Sequence, residues 1–174
     1  MKALLEGLLP RVLPGVEFLC IPHEGKRDLQ RSIPRKLRAW REPGVRFVVV
    51  QDNDGSDCRV LKGRLRDLCI QGGRSDSLIR IPCQELEAWY LGDLEILAEA
   101  FSDRSLASLE RRAKFRDPDV LQNPARELRA LVPEFQKISA ARLLGGRLRP
   151  EANRSRSFQV FLSGVRRLAG APEG

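Results

Sequence analysis

Two aspartates separated by one residue follow an apolar run, and they are the side chains of this chain best suited to chemistry. The run Phe47–Val50 ends at Gln51, and Asp52 and Asp54 come next, in the sequence RFVVVQDNDG. Four consecutive apolar residues, three of them valine, favour a strand buried on both faces, as in a parallel sheet. Because ligands bind at the carboxyl ends of such strands, two carboxylates there can converge on one hard cation such as Mg²⁺. The spacing therefore indicates metal-dependent phosphate chemistry.

The four residues that contain the two aspartates, Asp52 to Gly55 (DNDG), also have a purely structural explanation. Asn, Asp and Gly favour tight turns, so the sequence suits a strand exit without any ligand, and both interpretations stay open. A calcium-binding EF-hand loop is excluded. Counted from Asp52, its required glycine falls on Asp57 and its closing glutamate falls on Gly63.

A further acidic residue follows the next apolar run, in the sequence CQELEAWYLGD of residues 83–93. Glu87 is expected in the first turn of a helix, where a carboxylate favours the positive end of the helix dipole. The alternative, which its place after a strand favours, is that Glu87 is a third metal ligand or a catalytic acid/base. Trp89 and Tyr90 can stack on a base, but their spacing among leucines favours a role in the core.

His23 and Lys26 follow the first predicted strand and are expected at the same edge of the sheet. Lys26 can bind phosphate as a point charge. His23 can act as an acid/base, because the unperturbed pKa of histidine is close to neutral. The other interpretation of His23, and the favoured one, is a turn residue with local hydrogen bonds.

The first half of the chain alternates helical and strand patterns, which predicts an α/β fold with a three-layer parallel sheet. The strands are expected at residues 16–21, 46–51 and 78–81. The second half shows helical periodicity only, so residues 1–93 are predicted to form an α/β core and residues 94–174 a helical extension packed on it. The tail, residues 169–174, is expected to fray.

The chain is basic, with a net charge of +8, which favours a nucleic acid partner. Arginine supplies 25 of the 31 basic residues and is spread along the sequence. Lys137, Arg142 and Arg154 are candidate nucleic-acid contacts, although solvated helix faces explain them equally well. The four cysteines contain no C-x-x-C pair, so we expect reduced thiols in the cytoplasm rather than zinc. No apolar run is long enough for a membrane span.

The strand followed by DxDG, then a helix, a strand and ExEAWYLGD, resembles the bacterial family known as domain of unknown function 4276. The resemblance extends over nearly the whole chain, including residues 114–118, 135–137 and 153–158. This family is related to Toprim domains, among them those of OLD-type nucleases. The resemblance implies a Toprim-like fold in which Asp52 and Asp54 bind Mg²⁺ (or Mn²⁺), and Glu87 matches the acidic position of the family's E-A-W element.

A Toprim domain begins with a strand that ends in a catalytic glutamate, whereas this chain begins directly in the helix that follows it. We therefore expect the first strand and its glutamate to be missing here. The resemblance implies a metal-dependent nuclease-type effector, of the kind that accompanies ATPases in bacterial defence. Two alternatives stay open. One is a non-catalytic subunit that binds and regulates an ATPase partner, and the other is a Mg²⁺-dependent phosphatase or phosphotransferase with Asp52 as the nucleophile.

Overall fold

The computed structural model describes residues 1–170, so the part of the predicted frayed tail at residues 171–174 lies outside it. The strands are β1 (Val48–Val50) and β2 (Leu78–Arg80). The helices are α1 (Lys2–Val12), α2 (Lys26–Ala39), α3 (Cys58–Gln71), α4 (Glu87–Leu91), α5 (Leu94–Ala100), α6 (Ser105–Ser108), α7 (Pro124–Leu131), α8 (Lys137–Gly145) and α9 (Arg156–Leu168). Short 3-10 turns cover Leu109–Arg111, Ala113–Phe115 and Pro118–Val120. No helix in the described residues combines the length and the apolar character that crossing a bilayer requires.

The predicted α/β fold, a Toprim-like three-layer parallel sheet, is wrong, because the described chain is mostly helical and its described residues hold one two-stranded ribbon. β1 and β2 pair in parallel, with Val49 opposite Ile79. The strand predicted at residues 16–21 does not form, and Phe18 and Leu19 are 40% and 71% exposed there. A β-branched and aromatic composition favours a strand only where those side chains pack on a neighbour. Residues 16–21 have the composition of a strand without such packing.

The ribbon lies between two apolar clusters. Val49 and Ile79 pack into the smaller one, with side chains of α2 and α3 such as Leu37 and Leu65. Residues of the opposite face pack against the larger cluster, Val50 among them. The larger cluster joins residues from both ends of the chain, including Leu4, Leu8, Trp89, Leu97, Leu128, Phe158 and Phe161. Burial in these two clusters is what holds so short a ribbon in place.

A close helix crossing sets the position of α8. Gly7 of α1 and Gly145 of α8 lie at the contact, and a Cβ at Gly7 would come within 2.9 Å of the Gly145 carbonyl carbon. Because glycine has no side chain, the two backbones can approach this closely. Arg11 adds hydrogen bonds from Nη1 to the carbonyls of Gly145 and Leu148, at 3.3 and 2.9 Å. The crossing helps to fix α8, whose first residue is Lys137.

Candidate metal and phosphate site

The loop after β1 is bonded to the loop after β2. Asn53 is buried; its Oδ1 accepts a hydrogen bond from the backbone N–H of Gln84, and its Nδ2 donates to the Ser56 carbonyl at 2.7 Å. The backbone N–H of Asp54 donates to the Gln84 carbonyl at 3.0 Å. Asp54 and Gln84 both have positive φ angles, 45° and 62°, which are uncommon for residues other than glycine. These bonds fix the backbone that follows Asp52.

Asp52 is a partly buried carboxylate with one oxygen that has no partner. Its Oδ1 is shielded from solvent and makes no hydrogen bond to any described residue. Burial raises the pKa of Asp52 to about 7, with further contributions from the negative charges of Glu87 and Asp54. The amino group of Met1 and a hydrogen bond from the Leu86 backbone N–H oppose this rise in pKa. Asp52 is therefore a carboxylate that any nearby cation would stabilise in its charged form.

Glu87 is the first residue of α4, and its side chain is only 6% exposed. Its Oε1 lies 3.2 Å from Nζ of Lys137. Tyr90, one turn further along α4, is buried, and its hydroxyl finds no hydrogen-bond partner in the described chain. Burial, followed by the charges of Glu87 and Asp52, raises the pKa of Tyr90. Since residues at i and i+3 share a helix face, α4 brings an acid and a phenol to the same place.

Asp54 lies in the turn after Asp52 and is exposed. Its Oδ2 is 3.1 Å from Nζ of Lys26, the first residue of α2. The three carboxylates of Asp52, Asp54 and Glu87 are called the acidic edge below. Asp54 and Glu87 thus each have a lysine partner. Asp52, whose pKa is raised by the charges of both, has no lysine partner within residues 1–170.

His23 is held by hydrogen bonds close to it in the chain. Its Nδ1 lies 3.0 Å from Asp28 Oδ2 and 3.3 Å from Ser32 Oγ. The bond with His23, followed by one from the Glu24 backbone N–H, lowers the pKa of Asp28. These contacts match the interpretation of His23 as a locally bonded turn residue, and none of them joins it to the acidic edge.

The three candidate nucleic-acid contacts have different surroundings. Lys137 pairs with Glu87. Arg142 is exposed on α8 and has no side-chain partner within residues 1–170. Arg154 places Nε 3.4 Å from Glu110 Oε1, and its buried Nη2 lacks a hydrogen bond. Only Lys137 is tied by contacts to the acidic edge.

Trp89 has a structural role. It is fully buried, and its Nε1 donates to Ser157 Oγ at 2.9 Å. Its ring packs against Phe158 and Phe161, with centroids 5.2 and 5.0 Å apart. The tryptophan is therefore inaccessible for stacking on a base, as its spacing among leucines predicted.

The acidic edge suits a hydrated divalent cation better than a closed metal cage. Within residues 1–170, no three His, Cys, Asp or Glu side chains are grouped closely enough to hold a metal ion by themselves. Mg²⁺, however, usually keeps several waters and binds through one or two carboxylates. Asp52 and Glu87 offer two such carboxylates, because the charge of Glu87 acts on Asp52 and Asp52 Oδ1 has no hydrogen-bond partner among the described residues.

Sequence reasoning gave three residues around this site, Asn53, Tyr90 and Lys137, other roles than the contacts they make. Asn53 appeared only as a turn residue, although it links the two loops. Tyr90 could have been found from its i+3 spacing to Glu87. No local signal announced that Lys137 would reach Glu87, because the two are far apart in sequence and the α1–α8 packing helps to place α8.

Comparisons with known proteins identify the family without an activity. Searches of curated proteins and of solved structures return no match to the chain. A family model described as Domain of unknown function (DUF4276) matches residues 1–166, which include the acidic edge and both apolar clusters. The chain therefore belongs to this family, domain of unknown function 4276.

Proposed function

We propose that this protein hydrolyses phosphodiester bonds of nucleic acid with Mg²⁺ or Mn²⁺ held by Asp52 and Glu87. The observation that carries the proposal is the buried, unpartnered Oδ1 of Asp52 beside the charge of Glu87. Buried polar atoms are nearly always hydrogen-bonded, so an exception calls for a missing partner. The electrostatic surroundings make that partner a cation.

The residues of the acidic edge would divide the work. When bound, the metal would supply Lewis-acid activation of the phosphoryl group and of an attacking water. Asp52 and Glu87 would bind it, and Lys137 and Lys26, released from their carboxylates, would hold phosphate oxygens as point charges. Asp54, exposed in its turn, would hold a metal-bound water or a second cation. Tyr90 would place its hydroxyl, as a donor, next to Glu87.

The resemblance to Toprim and OLD-type nucleases supports the same chemistry. It was carried by the strand followed by DxDG and by the ExEAWYLGD element, and the Toprim-like sheet that it also implied does not form in the described residues. A nuclease of this kind would act in the cytoplasm, in bacterial defence with an ATPase partner. Reduced cysteines agree with that location, since all four thiols of the chain are free.

Calorimetry with Mg²⁺ and Mn²⁺ tests the metal site. We expect saturable binding to the native chain and at least a tenfold loss of affinity in Asp52→Asn and in Glu87→Gln. Glu99→Gln is the matched control, because Glu99 is an exposed acid on α5. Equal affinity in all four proteins would exclude a metal role for Asp52 and Glu87. Cleavage of a labelled oligonucleotide in Mn²⁺ then tests the activity with the same variants.

The pH dependence of metal binding gives a second test. Because a proton and a metal compete for Asp52, the affinity should rise with pH up to about 7 and level off above it. Asp52→Asn should abolish this rise along with most of the binding. A metal affinity independent of pH between 5 and 8 would show that the ion binds elsewhere.

A second candidate function, a non-catalytic subunit that binds an ATPase partner, is favoured by residues 16–21. Val16, Phe18, Leu19 and Ile21 are all exposed, and in the described chain no backbone hydrogen bond joins residues 17–21 to another segment. An extended apolar segment of this kind can pair with a strand of another protein. Leu19→Glu should then release a co-purifying ATPase, whereas Val120→Glu, at an apolar residue 67% exposed elsewhere, should not.

The third possibility, a phosphatase or phosphotransferase with Asp52 as nucleophile, fits the site less well. Such a site would place a Ser or Thr soon after the Asp pair and a Lys on a later strand, but Ser56 is the only candidate hydroxyl and β2 carries no lysine. Trapping a phosphoaspartate at Asp52 would reinstate this mechanism.

A further inference from the structure

The positive charge of the chain is concentrated on two helices. α2 contains six basic residues and one acidic residue, and α3 contains four basic residues and one acidic residue. Together they hold ten of the 31 basic and two of the 23 acidic residues, a net charge of +8. The rest of the chain has 21 of each sign and is neutral. The whole net charge of the protein thus resides on α2 and α3.

Three arginines of α2 form a stripe along its exposed side. Arg27, Arg31 and Arg35 are all exposed, and no acid of the described chain pairs with them. At 100° per residue their side chains fall within an arc of about 80°. The buried residues of α2, Ile33 and Leu37 among them, leave the helix on another side. These three residues are called the arginine stripe below.

α3 adds a second row of positive charge. Arg59, Lys62 and Arg66 are exposed and have no acidic partner among residues 1–170. Their spacing confines them to an arc of about 60°. α2 and α3 pack on the same apolar cluster, and Arg38 Nη2 donates to the Gln71 carbonyl at the end of α3, at 2.7 Å. The two rows therefore belong to one helical layer.

This layer leads directly to the acidic edge. Lys26, the residue before the arginine stripe, lies 3.1 Å from Asp54. α3 begins at Cys58, just after the loop that contains Asp52 and Asp54. Unpaired guanidinium groups beside the acidic edge suit a polyanion, because each can bind a phosphate through two parallel hydrogen bonds.

We infer that the arginine stripe, with Arg59, Lys62 and Arg66, binds the sugar-phosphate backbone of a nucleic acid and directs it to the acidic edge. The inference deepens the proposed function, since it names the surface by which that site receives its substrate. It moves the nucleic-acid contacts from Arg142 and Arg154 to the opposite half of the sequence. The reason for this choice is that basic and acidic residues are equal in number outside α2 and α3.

Fluorescence anisotropy in EDTA tests binding apart from catalysis. The probes are labelled duplex DNA, single-stranded DNA and single-stranded RNA, titrated over a range of salt concentrations. Arg27→Gln/Arg31→Gln/Arg35→Gln should weaken binding of the preferred probe at least tenfold. The slope of log K against log salt should fall by about two to three, because three phosphate contacts are lost.

Arg112→Gln/Arg126→Gln/Arg129→Gln is the matched control, with the same change of charge at exposed arginines outside α2 and α3. It should leave the salt slope within one unit of the native value. Equal losses in both triple variants would overturn the inference, as would an unchanged slope in the first. Binding to anionic lipid vesicles that exceeds binding to every oligonucleotide would also overturn it. Circular dichroism checks that both variants are folded.

The same experiment separates this inference from the metal proposal. If the first triple variant loses nucleic acid while Mg²⁺ fails to bind the native chain, the surface stands and the catalytic proposal fails. If Mg²⁺ binds through Asp52 and Glu87 but the triple variant holds nucleic acid normally, the surface is refuted and the metal site remains.

Discussion

Two buried carboxylates, Glu87 and Asp93, lie six positions apart at the starts of α4 and α5. Their surroundings differ, because in the described chain only Glu87 has neighbours with unpartnered polar atoms. Asp93 is 2% exposed and fully partnered. It accepts hydrogen bonds from Arg149 through the backbone N–H and the guanidinium group, at 2.5 to 3.1 Å, and from the Ile96 N–H at the start of α5. Glu87, in contrast, shares its surroundings with the unpartnered atoms of Asp52 and Tyr90.

The same contrast holds for a second closed network. Asp119 accepts from the hydroxyls of Ser155 and Ser157 and from the Ser157 backbone N–H, and Ser157 in turn accepts from Trp89 Nε1. Asn153 completes this network by donating to the Trp89 carbonyl at 2.7 Å. Closed networks of this kind hold the fold together. The acidic edge is built from similar residues, but the neighbouring atoms Asp52 Oδ1 and the Tyr90 hydroxyl have no hydrogen-bond partner in the described chain.

The largest expected change in stability is in the closed network of Asp93. Arg149→Ala should destabilise the protein by about 3 kcal/mol, because it leaves the Asp93 carboxylate buried without a counter-ion. The hydrogen bond with Asp93, above all, raises the pKa of Arg149, so the guanidinium group stays charged. Urea unfolding measures the loss, with Arg147→Ala, an exposed neighbour, as control. Equal stability of the two variants would contradict a structural role for the pair.

Asp52→Asn should act in the opposite direction and should stabilise the protein by about 2 kcal/mol at pH 8. The folded-state pKa of about 7 lies above the unfolded value of 3.8. The native protein therefore binds more protons between these values, and its stability falls as pH rises from about 4 to 7. The asparagine variant lacks this fall.

Urea unfolding at pH 5 and pH 8 checks the sign. The gain from Asp52→Asn should be larger at pH 8, and Mg²⁺ should stabilise the native chain but not the variant. Asp67→Asn, at an exposed position of α3, should show neither effect. If Asp52→Asn destabilises the protein at pH 8, the Asp52 carboxylate makes stabilising bonds, as Asp93 and Asp119 do.

Tyr90→Phe and Trp89→Phe compare adjacent aromatic residues on α4. The Tyr90 hydroxyl has no partner in the described chain, so its removal should leave stability unchanged or raise it by about 1 kcal/mol. Trp89→Phe should cost about 2 kcal/mol or more, because it removes the bond to Ser157 and leaves a gap in the core. Thermal unfolding of both variants measures the difference. If Tyr90→Phe is the more costly change, the hydroxyl is satisfied in solution.

The smallest effect is expected at Lys26. Its ion pair with Asp54 is exposed on both sides, with 56% and 45% of the side chains accessible, and exposed pairs contribute little to stability. Lys26→Ala should change the free energy of unfolding by less than about 0.5 kcal/mol. Nucleic-acid affinity should fall severalfold, since a phosphate contact is lost. A large loss of stability would show that Lys26 has a structural function.

Most of the acidic edge was predictable, and most of the sheet was not. The sequence pattern placed Asp52 and Asp54 after β1 and Glu87 after β2, and in the structure the charges of Glu87 and Asp54 both raise the pKa of Asp52. The strand predicted at residues 16–21 was wrong, because a strand-like composition does not show whether a neighbouring strand is available. The short ribbon is stable only between two helical clusters, which are formed by residues distant in sequence.

The charge of α2 and α3 shows what sequence counting overlooks. Arginine is spread along the chain, so composition alone gave no basic surface. Once the helix bounds are known, the bases of α2 and α3 exceed their acids by eight, while bases and acids are equal in number when summed over the rest of the chain. The candidates Arg142 and Arg154 were chosen without that balance.

The sequence by itself determined the local chemistry: the helical periodicities, the DNDG turn, the order of the acidic residues and the family to which the chain belongs. Only the tertiary structure decided which buried carboxylates are satisfied. Asp93 is bonded to Arg149, and Asp119 to Ser155 and Ser157, whereas in the described chain Asp52 has an unpartnered oxygen and a negative neighbour in Glu87. The physical reason is that desolvation and charge pairing depend on contacts between distant residues, which no local pattern of amino acids contains.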